Sequence, residues 1–159
     1  MRELFILGID PGYGRMGFGC IHVAGKEMQA VDFGVMTTTP GDAPEDRLLH
    51  LAHDLNEILK HVKPDLVAVE KLFFANNSTT AIRVAEARGV VLLLAAQAGV
   101  PVVEVGPAQV KKAITGAGDA GKAAMQKMVA KLLNLPRAPK PDDAADALAI
   151  AITASTMRW

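Results

Sequence analysis

The sequence predicts an α/β fold in which helices flank both faces of a five-stranded mixed sheet. Two observations predict it: three strand-like segments in a row near the start, and an alternation of helices and strands after them. A chain of 159 residues, half of them hydrophobic and 21% charged, is long enough for one domain with its own core. We therefore expect a single domain over residues 1–159.

The first third of the chain reads as three antiparallel strands. Residues 4–9 form an apolar run that ends at Asp10, and residues 16–23 alternate between apolar and other side chains. The segment Ala-Gly-Lys at 24–26 is a turn signal, and a third strand is expected over 27–37. Short connections between successive strands predict a meander.

Helix–strand alternation follows. Asp42 and Glu45 have the spacing of a capping box, which predicts a helix from there to about Val62, before Pro64. Its apolar side chains recur at helical spacing: Leu48, Leu51, Leu55, Ile58 and Val62. Strands are expected over 66–69 and 102–105, and helices over 78–99 (with Ser78 as cap), 108–114, 121–134 and 143–156.

Charge and cysteine content exclude several classes. The net charge is zero, but the basic residues cluster in 111–140, where Asp119 is the one acid. Such a cluster is typical of a solvated helix face or of a nucleic-acid contact. The one cysteine, Cys20, excludes an intrachain disulfide and a cysteine zinc site. With no signal peptide and no apolar run long enough to span a bilayer, we expect a cytoplasmic protein.

Two glycine motifs resemble nucleotide-binding loops but lack the required context. Residues 12–17 match G-x-G-x-x-G, yet a strand and not a helix is predicted to follow. Residues 116–122 match G-x-x-x-x-G-K, but Ala123 stands where Ser or Thr would hold Mg²⁺, and a helix precedes the motif. We predict that neither segment binds a nucleotide.

Four acidic residues are candidate metal ligands. Asp10 and Glu70 follow the ends of two apolar strands, where sites in α/β sheets gather. Asp143 and Asp146 are three apart, so both lie on one face of a helix. Carboxylates buried together are costly unless cations neutralise them, and hard oxygen ligands suit Mg²⁺ or Mn²⁺. A structural alternative remains open for the last helix: Asp142 as N-cap, with acids favoured by the helix dipole.

These residues belong to a set of segments by which the sequence resembles the RuvC-type Holliday-junction resolvases, endonucleases of the RNase H-like superfamily. The matching segments are 7–12 (LGIDPG), 69–74 (VEKLFF), 87–90 (ARGV), 109–111 (QVK) and 143–151 (DAADALAIA). They occur in the family's order and span nearly the whole chain.

The resemblance implies an RNase H-like nuclease domain whose metal site is formed by Asp10, Glu70, Asp143 and Asp146. It implies two Mg²⁺ per site, with Mn²⁺ as a substitute, and phosphodiester hydrolysis that leaves 5′-phosphate and 3′-hydroxyl ends. It also implies a homodimer that nicks a four-way DNA junction symmetrically in recombination and repair, together with a branch-migration complex of the RuvA–RuvB type.

Basic and aromatic residues receive roles from the same resemblance. Lys111 and Lys122 align with family lysines that contact DNA near the site and assist catalysis, and Phe73 aligns with a residue that wedges or stacks on a base. The remaining expected DNA contacts are Phe74, Asn76 and Lys112. The sequence departs from the family at Gly121, where an acidic residue usually precedes the lysine.

Two other functions share parts of this pattern. A non-catalytic nucleic-acid-binding module on the same fold is disfavoured because all four acids are present. A sugar-kinase or actin-like ATPase also has a first strand running into Asp and Gly, but that architecture usually needs two such domains.

Overall fold

The computed structural model describes residues 2–72 and 79–157. Within them, five strands form one sheet with the spatial order β3-β2-β1-β4-β5. The strands are β1 (Glu3–Asp10), β2 (Arg15–Ala24), β3 (Glu27–Thr37), β4 (Leu66–Glu70) and β5 (Val102–Val105). The predicted strands are confirmed within one residue at each end.

The sheet is mixed, as predicted. Strands β1, β2 and β3 pair antiparallel, with a bulge in β2 between Cys20 and Ile21. Strand β1 pairs parallel with β4, and β4 pairs parallel with β5. The carboxyl ends of β1 and β4, which carry Asp10 and Glu70, therefore meet at one edge of the sheet, where antiparallel β2 begins at Arg15.

Helices cover both faces. They are α1 (Pro44–Val62), α2 (Thr79–Gln97), α3 (Pro107–Thr115), α4 (Lys122–Leu132) and α5 (Asp142–Ser155). One apolar cluster packs α3, α4 and α5 against one face of the sheet, and a second cluster packs α1 and α2 against the other. None of the helices in the described ranges is long and apolar enough to cross a membrane.

Two predicted helix starts are wrong. Helix α1 has Ala43 as its N-cap and Pro44 as its first residue, and no side chain caps it, so Asp42 and Glu45 form no capping box. Helix α5 has Pro141 as its N-cap, and Asp142 is the first helical residue instead of the cap. In α1 a proline at the first position already has helical φ and lacks an N–H that needs a partner. The predicted cap of α2, Ser78, lies outside the described residues.

Both glycine motifs have the context that excludes a nucleotide loop. Strand β2 begins within the 12–17 motif, so no helix N-terminus follows it. Helix α3 ends at Thr115, directly before the 116–122 motif, where a P-loop requires a strand. The predicted secondary-structure context of both motifs is confirmed.

Helix α5 lies unusually close to the sheet. A Cβ on Gly8 of β1 would collide with the backbone of Ala147 and Ala151, and a Cβ on Gly17 of β2 would collide with the carbonyl of Asp143. From Ala144 to Ala154, only Asp146 on this helix is not fully buried. Glycine on the strands is required here because it lets two backbones approach with no side chain between them.

This close packing predicts that Gly8→Ala destabilises the protein. The added methyl group meets the α5 backbone, which has to move, and overpacking of this kind costs about 1–3 kcal/mol. Urea unfolding measures the difference. Gly118→Ala is the matched control, because its Cβ would meet open space, and we expect a change within about 0.5 kcal/mol. Equal stability of the two variants would contradict the packing argument.

Candidate active site

Three carboxylates converge at the edge of the sheet where β1 ends. One oxygen each of Asp10, Asp143 and Asp146 lies within 4.8 Å of the others. Asp10 is the last residue of β1, whereas Asp143 and Asp146 occupy the first turns of α5. Gly17 of β2 packs against the backbone of Asp143 and is also paired with Asp10 across the β1–β2 ladder. It therefore links the end of β1 to the start of α5.

Glu70 lies beside this group but not within its 4.8 Å limit. It ends β4, the neighbour of β1, and lines a cavity together with Asp146. Burial raises the pKa of Glu70, with a further increase from the charge of Asp146. Its own charge in turn raises the pKa of Asp10. The four predicted acids therefore share one electrostatic site, and their role as metal ligands stays a prediction.

The acids destabilise one another's ionised forms. The pKa of Asp10 is raised from 3.8 to about 7, first by burial and then by the charges of Asp146, Glu70 and Asp143. Burial also raises the pKa of Asp146. A divalent cation bound among these oxygens would relieve both penalties, so the donor set fits the hard ions Mg²⁺ and Mn²⁺.

Two side-chain cations already face this site. The Lys122 Nζ lies 3.3 Å from an Asp146 Oδ2 and 3.9 Å from an Asp142 Oδ2. The charge of Asp146 is the main cause of the raised pKa of Lys122. The Arg15 Nε lies 3.1 Å from an Asp143 Oδ2. Each cation offsets part of the negative potential.

Sequence reasoning missed Arg15. The signal that could have found it is topological: β2 runs antiparallel to β1, so its first residue returns to the edge where Asp10 ends. Lys122 is the first residue of α4, as predicted from its place near a helix start. The unfavourable helix dipole at this position is opposed by the nearby carboxylates.

The other predicted contacts divide into three groups. Lys111 is half-buried, lowers the pKa of Glu70, and lines a cavity of about 370 Å³ together with Lys122. Lys112 is exposed and is absent from the lining of that cavity. Phe73, Phe74 and Asn76 lie outside the described residues.

An arginine of α2 also contacts the end of β4. Arg88 of α2 donates from Nε to the backbone carbonyl of Glu70 at 3.3 Å, and its guanidinium lies 3.2 Å from a Glu104 carboxylate oxygen. Only 14% of the Arg88 side chain is exposed. This contact ties α2 and β5 to the strand end that carries Glu70.

Comparison with known proteins finds relatives that share one description. A family model described as "Crossover junction endodeoxyribonuclease RuvC" matches residues 6–154. A protein of that name from Thermomicrobium roseum is 52% identical over 148 residues, which cover 92% of this chain and 90% of the relative. One from Pseudothermotoga lettingae is 49% identical over 148 residues, covering 93% of this chain and 91% of that one.

Solved structures give the same result. The structure titled "T. thermophilus RuvC in complex with Holliday junction substrate" superposes with a TM-score of 0.91 at 38% identity, covering 96% of this chain and 93% of that one. The yeast mitochondrial Holliday junction resolvase Ydc2 has a TM-score of 0.68 at 14% identity, covering 93% and 76% of the two chains. The second likeness concerns the fold alone, and it agrees with the predicted RNase H-like architecture.

The raised pKa of Asp10 predicts how stability depends on pH without metal. Between about pH 4 and 7 the folded protein keeps a proton that the unfolded chain has lost, so folding stability falls as pH rises through this window. Asp10→Asn removes this charge. In EDTA we expect the variant to match the wild type near pH 4 and to be more stable at pH 8, by a few kcal/mol.

Urea unfolding across this pH range measures the difference. Glu57→Gln, at an exposed position on α1, is the control and is expected to follow the wild type. If the stability of the wild type falls no more steeply with pH than that of Asp10→Asn, then Asp10 ionises freely in the folded protein and the prediction is wrong.

Proposed function

We propose, because this chain belongs to the RuvC family of crossover junction endodeoxyribonucleases, that it binds four-way DNA junctions as a homodimer and nicks two opposing strands symmetrically. Family membership makes the chain a nuclease and overturns the alternative of an ATPase. The proposal covers a single RNase H-like domain that acts in recombination and repair. It also includes a partner, a branch-migration complex of the RuvA–RuvB type, and a cytoplasmic location, as the sequence led us to expect.

The observation that carries the proposal is the convergence of Asp10, Asp143 and Asp146 beside Glu70. These four residues would hold two Mg²⁺ ions, or Mn²⁺ in their place. When bound, the ions would supply activation of a water for in-line attack on phosphorus and stabilisation of the leaving 3′-oxygen. Asp10 would be the central ligand of this set, because it ends the central strand of the sheet, which has a neighbouring strand on each side.

Lys111 and Lys122 would contact the phosphate from the cavity side. Both line the same cavity as Glu70 and Asp146, so a phosphate that reaches the acids also reaches two ammonium groups. Protonated amines orient the phosphate and offset the charge that develops during attack. Lys112 and the other basic residues of 111–140 would bind the DNA backbone farther from the reaction, which makes junction binding sensitive to salt.

The homodimer is supported by an exposed apolar stripe on α2. Ile82 and Leu93 are 62% and 56% exposed, and their separation of eleven residues places them on one side of the helix. Gly89 lies between them and is also exposed. A second copy packed on this stripe would bury both side chains, and its two-fold symmetry would match the symmetry of a four-way junction.

Asp10→Asn tests the chemistry. We expect cleavage of an immobile four-way junction in Mg²⁺ to fall by roughly a thousandfold or more, because a proposed metal ligand is lost. Junction binding is expected to persist, since the change removes negative charge from the DNA-facing edge. Cleavage is measured by gel and binding by fluorescence anisotropy in Ca²⁺, with linear duplex as the comparison substrate and Glu57→Gln as the control variant.

Two outcomes would contradict this proposal. Full cleavage by Asp10→Asn would remove Asp10 from the chemistry. Junction binding by the wild type without nicking in Mg²⁺ or Mn²⁺ would favour the non-catalytic module instead.

Leu93→Glu tests the dimer. A buried, unpaired carboxylate within the stripe opposes association, so we expect a monomer by analytical ultracentrifugation at micromolar concentration. Val31→Glu is the control, because Val31 is 45% exposed on β3 at the far edge of the sheet. A wild type that sediments as a monomer, or a Leu93→Glu variant that remains dimeric, would exclude α2 as the interface.

A further inference from the structure

A second cavity, of about 480 Å³, opens on the other side of the turn that connects β1 to β2. Arg47 of α1 and Arg83 of α2 line it, and both guanidinium groups lie near the ring of Tyr13. We propose that this cavity binds a DNA backbone phosphate other than the scissile one. The inference rests on the proposed function and identifies a further contact for its DNA substrate.

Arg47 is held in a fixed orientation. Its guanidinium carbon lies 4.0 Å from the centre of the Tyr13 ring, and its Nε donates to the Thr38 hydroxyl at 2.9 Å. That hydroxyl donates to the Tyr13 carbonyl at 2.9 Å. Among the described residues, Arg47 has no acidic partner within ion-pair distance, so its two terminal nitrogens are available to an anion. A guanidinium oriented in advance loses little side-chain entropy when it binds a phosphate.

Arg83 lines the same cavity from α2. Its guanidinium carbon lies 5.8 Å from the same ring centre, and one terminal nitrogen pairs with Glu86 at 2.9 Å. Both side chains of that pair are more than a third exposed, and exposed pairs three residues apart on a helix contribute little. The remaining donors of Arg83 can therefore reach a ligand in the cavity.

The charge of the lining favours an anion. Asp42 is the one acid among the described residues that line the cavity, and it makes no ion pair with Arg47 or Arg83. Asp42 is exposed. Two planar guanidinium groups match the geometry of phosphate oxygens, which accept paired N–H bonds.

The position of the cavity points to DNA. Tyr13 is three residues from Asp10, so their Cα atoms are separated by at most about 11 Å. One strand of duplex DNA carries a charge every ~3.4 Å of helix axis. A strand whose scissile phosphate lies at the acids therefore has another phosphate within reach of this cavity, a few nucleotides away.

Arg47 also has a structural role, because it holds the β1–β2 turn through Thr38. Within the described ranges, Arg83 makes no hydrogen bond to that turn, and Asp42 forms no side-chain bond there. Substitutions of Arg83 and Asp42 can therefore change phosphate binding without disturbing the turn. We expect the two substitutions to change the affinity for DNA in opposite directions.

The test is binding of the full-length chain to an immobile four-way junction in Ca²⁺, followed by anisotropy over a range of salt concentrations. Arg83→Gln is expected to weaken binding roughly tenfold near 0.1 M salt. The slope of log affinity against log salt is expected to become shallower by about one for each phosphate that is no longer neutralised. Asp42→Asn is expected to strengthen binding. Lys60→Gln is the control, because Lys60 lies at the far end of α1 and is exposed.

The outcomes separate this inference from the proposed function. If the wild type binds and cleaves the junction while Arg83→Gln and Asp42→Asn keep its affinity and salt slope, the cavity does not bind phosphate and the proposed function stands. If the wild type does not bind the junction, the proposed function is wrong and this inference falls with it. Equal weakening by Lys60→Gln would mean that the effect of Arg83 is nonspecific.

Discussion

The close approach of α5 to β1 and β2 is the constraint on which the site depends. Gly17 is paired with Asp10 across the ladder and lies directly under the carbonyl of Asp143. A side chain at Gly8 or Gly17 would push the helix outward, and the carboxylates of α5 would move away from Asp10. The precision of the site therefore comes from backbone-to-backbone packing of a buried, alanine-rich helix, and not from the acids, which repel one another.

That repulsion is the main electrostatic feature of the protein. The pKa of Asp10 near 7 and the raised pKa of Glu70 and Asp146 show that the fold holds negative charge together against a cost. Groups of charged residues with strongly shifted pKa values commonly lie at binding or catalytic sites. The arrangement suits the hard divalent cations of the proposed function, and Lys122 and Arg15 reduce the cost.

Basic groups flank the acids on both sides of the β1–β2 turn. Lys111 and Lys122 line the cavity next to Glu70, and Arg47 and Arg83 line the cavity beyond Tyr13. A DNA strand that crosses this edge of the sheet would meet cations before and after the acids. The net charge of the chain is zero, so the composition alone does not reveal these basic groups. The acidic residues that balance their charge include the ones that a bound metal ion would neutralise.

The sequence by itself determined the strands, their order along the chain and the placement of Asp10 and Glu70 at strand ends, because hydrophobic periodicity is a local property. The spacing of Asp143 and Asp146 likewise placed both on one helix face. Only the tertiary structure decided that Glu70 lies outside the closest group of acids and that Arg15 pairs with Asp143. Pairings and distances of this kind depend on how elements far apart in the chain pack together, and no local pattern encodes them.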